Sequence, residues 1–326
     1  MFSALVVSEA TDGFEASVRD VDEADLPDGD VTVDVEYSSI NYKDALAIVN
    51  GKPVLRQFPM VPGIDLAGTV SASSSDEWSV GDTVVLDGWG VGEERWGGLA
   101  QKARVDGSWL VPVPDGWSTR DAMAVGTAGF TAALAVSALD DHGLTAPGPV
   151  LVTGASGGVG SFAIMLLAAG GIDAIAASRT PGAASYLTSL GASEIIDSTE
   201  LGTDVRALGK QRWWGAIDNV GGSVLAGVIS STTAGGAVAA CGNAGGMDLP
   251  TTVAPFILRG VSLLGIDSVR VPRAARLAAW AMLAERVPRE RLAEVTAEVG
   301  LAEAIPTAKR LLANDLTGRV VVDVRR

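Results

Sequence analysis

The stretch with the clearest chemical potential is Pro149 to Gly160, PVLVTGASGGVG. Its opening, Pro149 to Thr153, is short, apolar and β-branched, which reads as a fully buried parallel strand. Gly154, Gly157 and Gly160 then allow the backbone to turn sharply and approach a ligand with no side chain in the way. Ser161 to Ala169 favour a helix behind that turn. The first N–H groups of such a helix have no partners inside it, and the helix dipole adds to their preference for an anion, so a pyrophosphate is the natural occupant. Ser156, Gly157, Gly158, Val159 and Gly160 are the expected phosphate seat, with Ala155 where the G-x-G-x-x-G pattern has its first glycine.

The next apolar run, Ile172 to Ala177, is a second strand that ends about twenty residues after the turn, where this arrangement places the group that meets the adenosine ribose. A carboxylate there would accept from a free 2′-hydroxyl and repel a 2′-phosphate. The chain has Ser178-Arg179 instead, a hydroxyl and a guanidinium that can bond and neutralise a phosphate, so NADPH is the expected cofactor. The plainer alternative makes Arg179 a solvated loop residue and Ser178 a helix cap.

The elements that must position these residues change character along the chain. Residues 1 to about 122 read as mostly β: Ala4 to Ser8, Val31 to Tyr37, Ala67 to Ala72, Thr83 to Asp87 and Leu99 to Val105 are short β-rich runs between Pro, Gly and Asp turns. From Met123 an alanine-rich helix leads into alternating strands and helices, the pattern of a doubly wound parallel sheet. A last strand, Arg319 to Val324, has no neighbour in sequence to pair with and is expected to return to the N-terminal domain.

Composition narrows the function. The 326 residues suffice for two domains, and the net charge of −15 argues against a nucleic-acid partner. With one cysteine, Cys241, and one histidine, His142, neither a disulfide framework nor a usual zinc site can be assembled. No basic segment precedes the first strand, and Gly170-Gly171 and Asp173 interrupt the apolar stretch from Phe162 to Ala177, so a soluble cytoplasmic protein with no membrane partner is expected.

Several blocks along almost the whole chain carry a resemblance: NYKD at Asn41 to Asp44, PGIDLAG at Pro62 to Gly68, GDTV at Gly81 to Val84, WGGLA at Trp96 to Ala100, GTAGFTA at Gly126 to Ala132 and TGASGGVG at Thr153 to Gly160. The chain resembles the medium-chain dehydrogenase/reductase superfamily, and within it the zinc-free acryloyl-CoA reductase branch, often labelled quinone oxidoreductase. The resemblance implies an α/β architecture: a GroES-like β-rich catalytic domain, residues 1–122 together with 292–326, and a Rossmann NADPH-binding domain, residues 123–291. It also implies a homodimer. The branch usually carries Ser-Gly-Arg at the ribose position, whereas this chain has Ser178-Arg179-Thr180.

Where zinc-dependent members place a metal ligand, the chain has Gly63-Ile64-Asp65. The implied reaction is therefore metal-free delivery of hydride to the β-carbon of an activated alkene, with charge building on the carbonyl oxygen as an enolate. Neutral donors suit that oxygen, and Asn41 and Tyr42 are the catalytic candidates. By resemblance Tyr42 also meets the nicotinamide end or the substrate, while Asp44 and Asp65 fix neighbouring backbone. Thr127, Asn219 and Asn243 are further cofactor candidates, as are Arg259, Ser268 and Arg319, which fall in blocks that close over the cofactor or the substrate channel. Arg259, Arg270 and Arg273 are candidates by position for the phosphates of a coenzyme A thioester. Two other readings stay open: a quinone or enone reductase using the same cofactor, and a non-catalytic NADPH-binding protein.

Overall fold

The computed structural model of the chain describes every residue except 12, 144–147 and 181. In chain order the N-terminal elements are β1 (Phe2–Ala10), β2 (Gly13–Val21), β3 (Val31–Ser39), α1 (Tyr42–Asn50), β4 (Asp65–Ser73), β5 (Thr83–Asp87), β6 (Lys102–Val105), β7 (Val111–Pro112) and α2 (Thr119–Asp141). An alternating region follows: β8 (Val150–Thr153), α3 (Gly158–Ala169), β9 (Ala174–Ser178), α4 (Ala184–Ser189), β10 (Ala192–Asp197), β11 (Trp213–Asp218), α5 (Gly222–Ser231), β12 (Thr232–Ala240), α6 (Ala254–Arg259) and β13 (Ser262–Gly265). The chain ends with α7 (Arg273–Arg286), α8 (Arg289–Val295), β14 (Thr296–Gly300), α9 (Ala304–Leu312) and β15 (Arg319–Asp323).

These elements form two compact units. The first takes Met1–Thr127, Val269–Leu277 and Pro288–Arg326; the second takes Ala128–Ser268 and Ala278–Val287. The divisions expected after residues 122 and 291 are thus displaced. At the first of them, the main chain through Thr127 is tied to Asp65 by the Thr127 amide at 2.9 Å, which keeps the start of α2 with the β-rich unit.

The β-rich unit has a sheet in the order β14-β15-β3-β4-β5-β7, with β6 also on β3, and a separate hairpin of β1 and β2. In β3 alternate residues Val31, Val33 and Val35 are buried, the two-residue period of a strand with one face on a core. They join Leu66, Leu86, Leu99 and Val322 in one apolar cluster. In α9, Ala304, Thr307 and Ala308 are buried, the spacing of one helix face. The last strand β15 pairs antiparallel with β3, Val321 opposite Ser39, so the C-terminus does return to this sheet.

In the second unit six strands lie in the order β10-β9-β8-β11-β12-β13, all parallel. This is the 3-2-1-4-5-6 order of a dinucleotide-binding sheet, whose strand order reverses beside β8. All four residues of β8 are buried, as a central strand covered on both faces requires. Among the described residues one helix, α2, is long and apolar enough by composition to cross a bilayer, but 78% of its most apolar window is buried inside the protein.

One buried ion pair ties the first unit together. Arg276, 1% exposed, donates to the carboxylate of Asp87 and, at 2.8 Å, to its main-chain carbonyl, with its guanidinium 5.3 Å from the centre of the Trp89 ring. Breaking such a pair strands a charge in a dry site. Arg276→Ala is therefore expected to lose about 3–5 kcal/mol of stability in urea titrations, and a double change of Arg276→Met with Asp87→Leu to recover most of it.

Candidate active site

The glycine turn of the second unit has the dimensions the sequence demands. Gly154 has φ +58°, a conformation that side chains disfavour, and a Cβ on Gly160 would lie 2.5 Å from the Gly154 carbonyl oxygen and 2.6 Å from the Ala155 Cα. Gly160 therefore lets α3 start hard against the end of β8. The N–H groups of Ser156, Gly158, Val159 and Gly160 have no acceptor among the described residues, whereas the Gly157 amide is used inside the turn on Gly154. Orphan amides at a helix start, with an open face at Gly157 where only the Gly154 oxygen lies within reach of a Cβ, fit a pyrophosphate.

Beside the turn, hydroxyls converge at the end of β9. Ser156 Oγ lies 3.0 Å from Thr180 Oγ1 and 3.3 Å from Ser178 Oγ, and the Thr180 amide donates to Ser178 Oγ at 3.1 Å. Arg179 is exposed and makes no ion pair among the described residues. The sequence shows Thr180 only as part of Ser178-Arg179-Thr180; its distance of 24 residues from Ser156 conceals their contact.

Beneath the turn, the ends of β8 and β11 are locked to each other. The Thr153 hydroxyl donates to Asp218 at 2.7 Å, and Asp218 accepts the Gly221 amide at 2.7 Å; burial pushes its carboxyl up. Asn219 uses its amide on the Thr153 carbonyl at 2.7 Å, and its oxygen receives the Cys241 thiol at 3.2 Å. Its side chain therefore ties together the ends of three neighbouring strands. Cys241 is pushed up to about 12, by burial first and by Asp218 second, and stays a thiol. Asn243 is exposed just past β12 and donates to the Met247 sulfur at 2.6 Å, and Ser268 is half-buried beyond β13.

Arg259, an expected cofactor contact, is committed to main-chain carbonyls. Its guanidinium donates to the carbonyls of Gly209 at 2.6 Å, Ser230 at 2.8 Å and Thr232 at 3.4 Å. Thr232 opens β12, so Arg259 sits at the amino end of the parallel sheet, opposite the carboxyl ends where the turn lies. Arg273, a candidate for coenzyme A phosphates, is likewise committed within the first unit, to the Leu110 carbonyl at 2.7 Å and to Glu77 at 3.2 Å, while Arg270 is exposed.

The first unit holds a second polar centre, built on the carboxylate of Asp65, which has no exposure to water. Ser39 Oγ donates to it at 2.7 Å, Asn41 Nδ2 at 3.0 Å and the Thr127 amide at 2.9 Å, and Arg319 Nη2 lies 3.8 Å away. Arg319, 3% exposed, also donates to Asn41 Oδ1 at 2.8 Å, Ser39 Oγ at 2.7 Å and the Ala124 carbonyl at 3.1 Å. Gly126, φ +49°, passes so close that a Cβ there would lie 2.6 Å from both Arg319 and Asp65, which explains the glycine of the GTAG block.

Asp44 completes the centre and fastens α1. Its two oxygens accept the Ile64 amide and the Asn41 amide, both at 2.8 Å, and Asn41 Nδ2 also reaches it at 3.0 Å. Asn41 is thus the N-cap of α1 with every polar atom of its side chain engaged, so it cannot serve as the expected donor to a substrate oxygen. The Arg319 guanidinium and the Thr127 main-chain amide likewise hold Asp65. Tyr42, the first residue of α1, is the member left facing outward, 43% exposed. The signal the sequence lacked was Ser39, which looks like an ordinary strand residue until β15 brings Arg319 to it.

With fold and site in view, the class is defined: the chain belongs to the medium-chain dehydrogenase/reductase superfamily. Residues 27–115 match the alcohol dehydrogenase GroES-like domain and residues 158–285 the zinc-binding dehydrogenase family. The chain is 52% identical to acrylyl-CoA reductase AcuI of Ruegeria pomeroyi over 99% of both. Among solved structures it is similar to Escherichia coli K-12 YhdH with bound NADPH, at 50% identity over 98% of this chain and 99% of that one with a TM-score of 0.96. It is also similar to Bacillus subtilis YhfP with NAD bound, at 44% identity over 99% of both with a TM-score of 0.94. Despite the name of the second matched family, a single cysteine and a single histidine fall short of the usual catalytic zinc ligands, and among the described residues no three of His, Cys, Asp and Glu converge.

Asp44 sets the pH behaviour of the centre. Burial first, and the neighbouring Asp65 carboxylate second, push it from 3.8 up to about 7. Between those values the folded protein binds a proton that the unfolded chain has released, so the Asp44 contribution to stability falls as pH rises from 3.8 to about 7 and is flat above. Urea midpoints measured across this range are expected to show that decline in the wild type and to lose it in Asp44→Ala, which is less stable at every pH for want of its two amide bonds.

Proposed function

We propose that the protein is an NADPH-dependent reductase of the carbon–carbon double bond of an α,β-unsaturated acyl-CoA, with acryloyl-CoA reduced to propanoyl-CoA. The observation that carries this reading is the 52% identity to an acrylyl-CoA reductase over 99% of both chains, in a protein whose phosphate turn has the required free amides. Ser156, Gly157, Gly158, Val159 and Gly160 hold the pyrophosphate, Ser178 and Arg179 the ribose end, and Asn243 and Ser268 lie past the carboxyl ends of the sheet strands. Bound there, NADPH supplies the hydride that reduces the β-carbon.

The part left to the chain is electrostatic. As the β-carbon is reduced, negative charge moves onto the thioester oxygen, and a preorganised neutral donor lowers the barrier without the cost of burying a second charge. Tyr42 provides that donor, a phenol on the first residue of a helix whose cap is locked by Asn41, Asp44 and Arg319. The α-carbon then takes a proton from an acid or from water, which completes the saturated thioester. The metal-free reading rests on the donor set, since the chain has one cysteine and one histidine.

A second reading, a quinone or enone reductase using the same fold, is favoured by the likeness to the quinone oxidoreductase-like YhfP of Bacillus subtilis, 45% identical over 99% of this chain. We place the enzyme in the cytoplasm, which suits a chain with a single cysteine and a soluble dinucleotide cofactor. A homodimer is supported by β13, which among the described residues pairs only with β12 and leaves a sheet edge, and by Val253 before α6 and Ile257 and Leu258 on it, which are 67%, 72% and 67% exposed.

Two experiments test these readings. Oxidation of NADPH with acryloyl-CoA, a free enone and a quinone is expected to be fastest with the thioester, unaffected by chelators, and about 10–1,000-fold slower in kcat for Tyr42→Phe; faster turnover of the quinone selects the second reading. Ile257→Asp is expected to convert the dimer to monomers in light scattering while NADPH binding persists, and a monomeric wild type removes the dimer.

A further inference from the structure

The loop from Gly88 to Trp96 is bonded to the floor of the Asp65 centre. The Gly88 amide donates to the Ile64 carbonyl at 3.2 Å, and the amide of that same Ile64 is held by Asp44 at 2.8 Å. A Cβ on Gly92 would lie 2.7 Å from the main chain of Gly63, so the loop rests directly on this segment. Further along, Glu93 pairs with Lys43 at 2.9 Å, one residue past Tyr42 in the first turn of α1. The loop is thereby tied to the helix that carries the phenol.

Within this loop Trp89 departs from ordinary packing in two independent respects. Its φ is +57°, a left-handed conformation that a bulky side chain disfavours, between Gly88 and Gly90, which adopt positive φ readily. Its indole nitrogen is closed to water and has no hydrogen-bond partner among the described residues. The other polar groups of the residue are satisfied: its amide donates to the Val269 carbonyl at 2.9 Å, and its carbonyl accepts from Arg95 Nη1 at 3.1 Å. The ring itself is held in place. Trp109 stacks on it with centres 6.2 Å apart and planes 13° from parallel, and the Arg276 guanidinium lies 5.3 Å from its centre. Packing requires neither feature, because glycine would make the turn without strain and phenylalanine would fill the stack without an orphaned donor. Strain and an unbonded polar group kept together at one residue point to a ligand.

We propose that Trp89 is a substrate-binding residue whose indole N–H donates to a carbonyl oxygen of the unsaturated thioester, an assignment that rests on the reading of the protein as an acyl-CoA reductase. Indole is a donor only, so the group that meets it must be an acceptor. The guanidinium beside the ring is paired with Asp87, and Glu93 and Glu94 follow in the same loop, so the surroundings favour an uncharged acceptor over an anion. An acyl-CoA offers such oxygens in the reacting carbonyl and in the amides of its pantetheine arm. Because the nitrogen is closed to water, the loop must open for a carbonyl to reach it. Gly88, Gly90 and Gly92, all at positive φ, give the backbone that freedom on either side of Trp89.

The test separates this role from a structural one. Trp89→Phe keeps a ring for the stack and removes the N–H, whereas Trp109→Phe trims the other half of the stack and leaves the N–H in place. With NADPH as reductant, kcat/KM is measured for acryloyl-CoA and for methyl vinyl ketone, an enone with one carbonyl and no amide, alongside the NADPH dissociation constant and the urea midpoint. Trp89→Phe is expected to lower kcat/KM for acryloyl-CoA about three- to tenfold, to leave NADPH binding unchanged and to be no less stable than Trp109→Phe, which keeps the wild-type kcat/KM. A parallel fall with the enone assigns the bond to the reacting carbonyl, and a fall confined to the thioester assigns it to the pantetheine amides. Wild-type kcat/KM in Trp89→Phe overturns the proposal, as does an equal fall in Trp109→Phe, which makes Trp89 a loop-shaping residue. Should Trp89→Phe not fold, the wild type labelled with 15N at its indoles answers the question. The Trp89 N–H resonance, assigned through its contacts to the Trp109 ring, is expected to move downfield when propanoyl-CoA is added, and an unmoved resonance overturns the proposal. A wild type that binds NADPH but reduces neither alkene overturns the reductase reading, and this assignment with it.

Discussion

A carboxylate with no access to water has to be surrounded by donors, and in the β-rich unit that requirement falls on Asp65. The donors come from places that are remote in sequence. Ser39 closes β3, Asn41 caps α1, Thr127 lies 62 residues beyond Asp65, and Arg319 begins the last strand. None of the contacts is local, so the carboxylate is paired only when the C-terminal strand has returned to β3 and α2 has begun in place. The closure of the unit and the solvation of one acid are the same event.

That event also sets the charge state of the site. Two acids and one guanidinium share a dry volume, which leaves one negative charge in excess if all are ionised. The excess is relieved on Asp44, pushed up to about 7, while burial lowers Arg319 and both acids raise it again. A proton on Asp44 therefore makes the centre neutral without any movement of the chain. The bonds from its oxygens to the Asn41 and Ile64 amides fix the start of α1 and hence the Cα of Tyr42, so the exposed phenol is carried by the most constrained residues nearby.

The fold was largely legible in the sequence, because the alternation of apolar strands and helices from residue 150 onward has one common solution, and glycines mark the turn that must approach a ligand. Strand β2 was missed: GFEASVRDV buries only Val21 fully, and a half-solvated hairpin strand gives a thin apolar signal. The site was less legible, and for a different reason. Arg259, Arg319 and Asn41 have the right chemistry for a ligand, but in the folded chain main-chain carbonyls and buried carboxylates claim their polar atoms. Spacing shows which groups a residue offers; only the tertiary fold shows which of those groups are already taken. Ser39 failed in the opposite sense, as a small hydroxyl residue whose importance appears only when its partner arrives from 280 residues away.

The two ends of the cofactor site differ in what holds them, and the difference bears on how such a protein changes its preferences. The seat proposed for the pyrophosphate is made of main-chain amides and of Gly160, which leaves no room for a Cβ, so a side chain there would disturb the packing of α3 on β8. The end proposed for the ribose is made of side chains at the tip of β9, exposed or half-buried and bonded chiefly to one another. Changes there cost little stability, because surface hydroxyls contribute little to a core. A fixed seat beside a replaceable one accounts for related chains of nearly identical fold that hold NADPH in one structure and NAD in another.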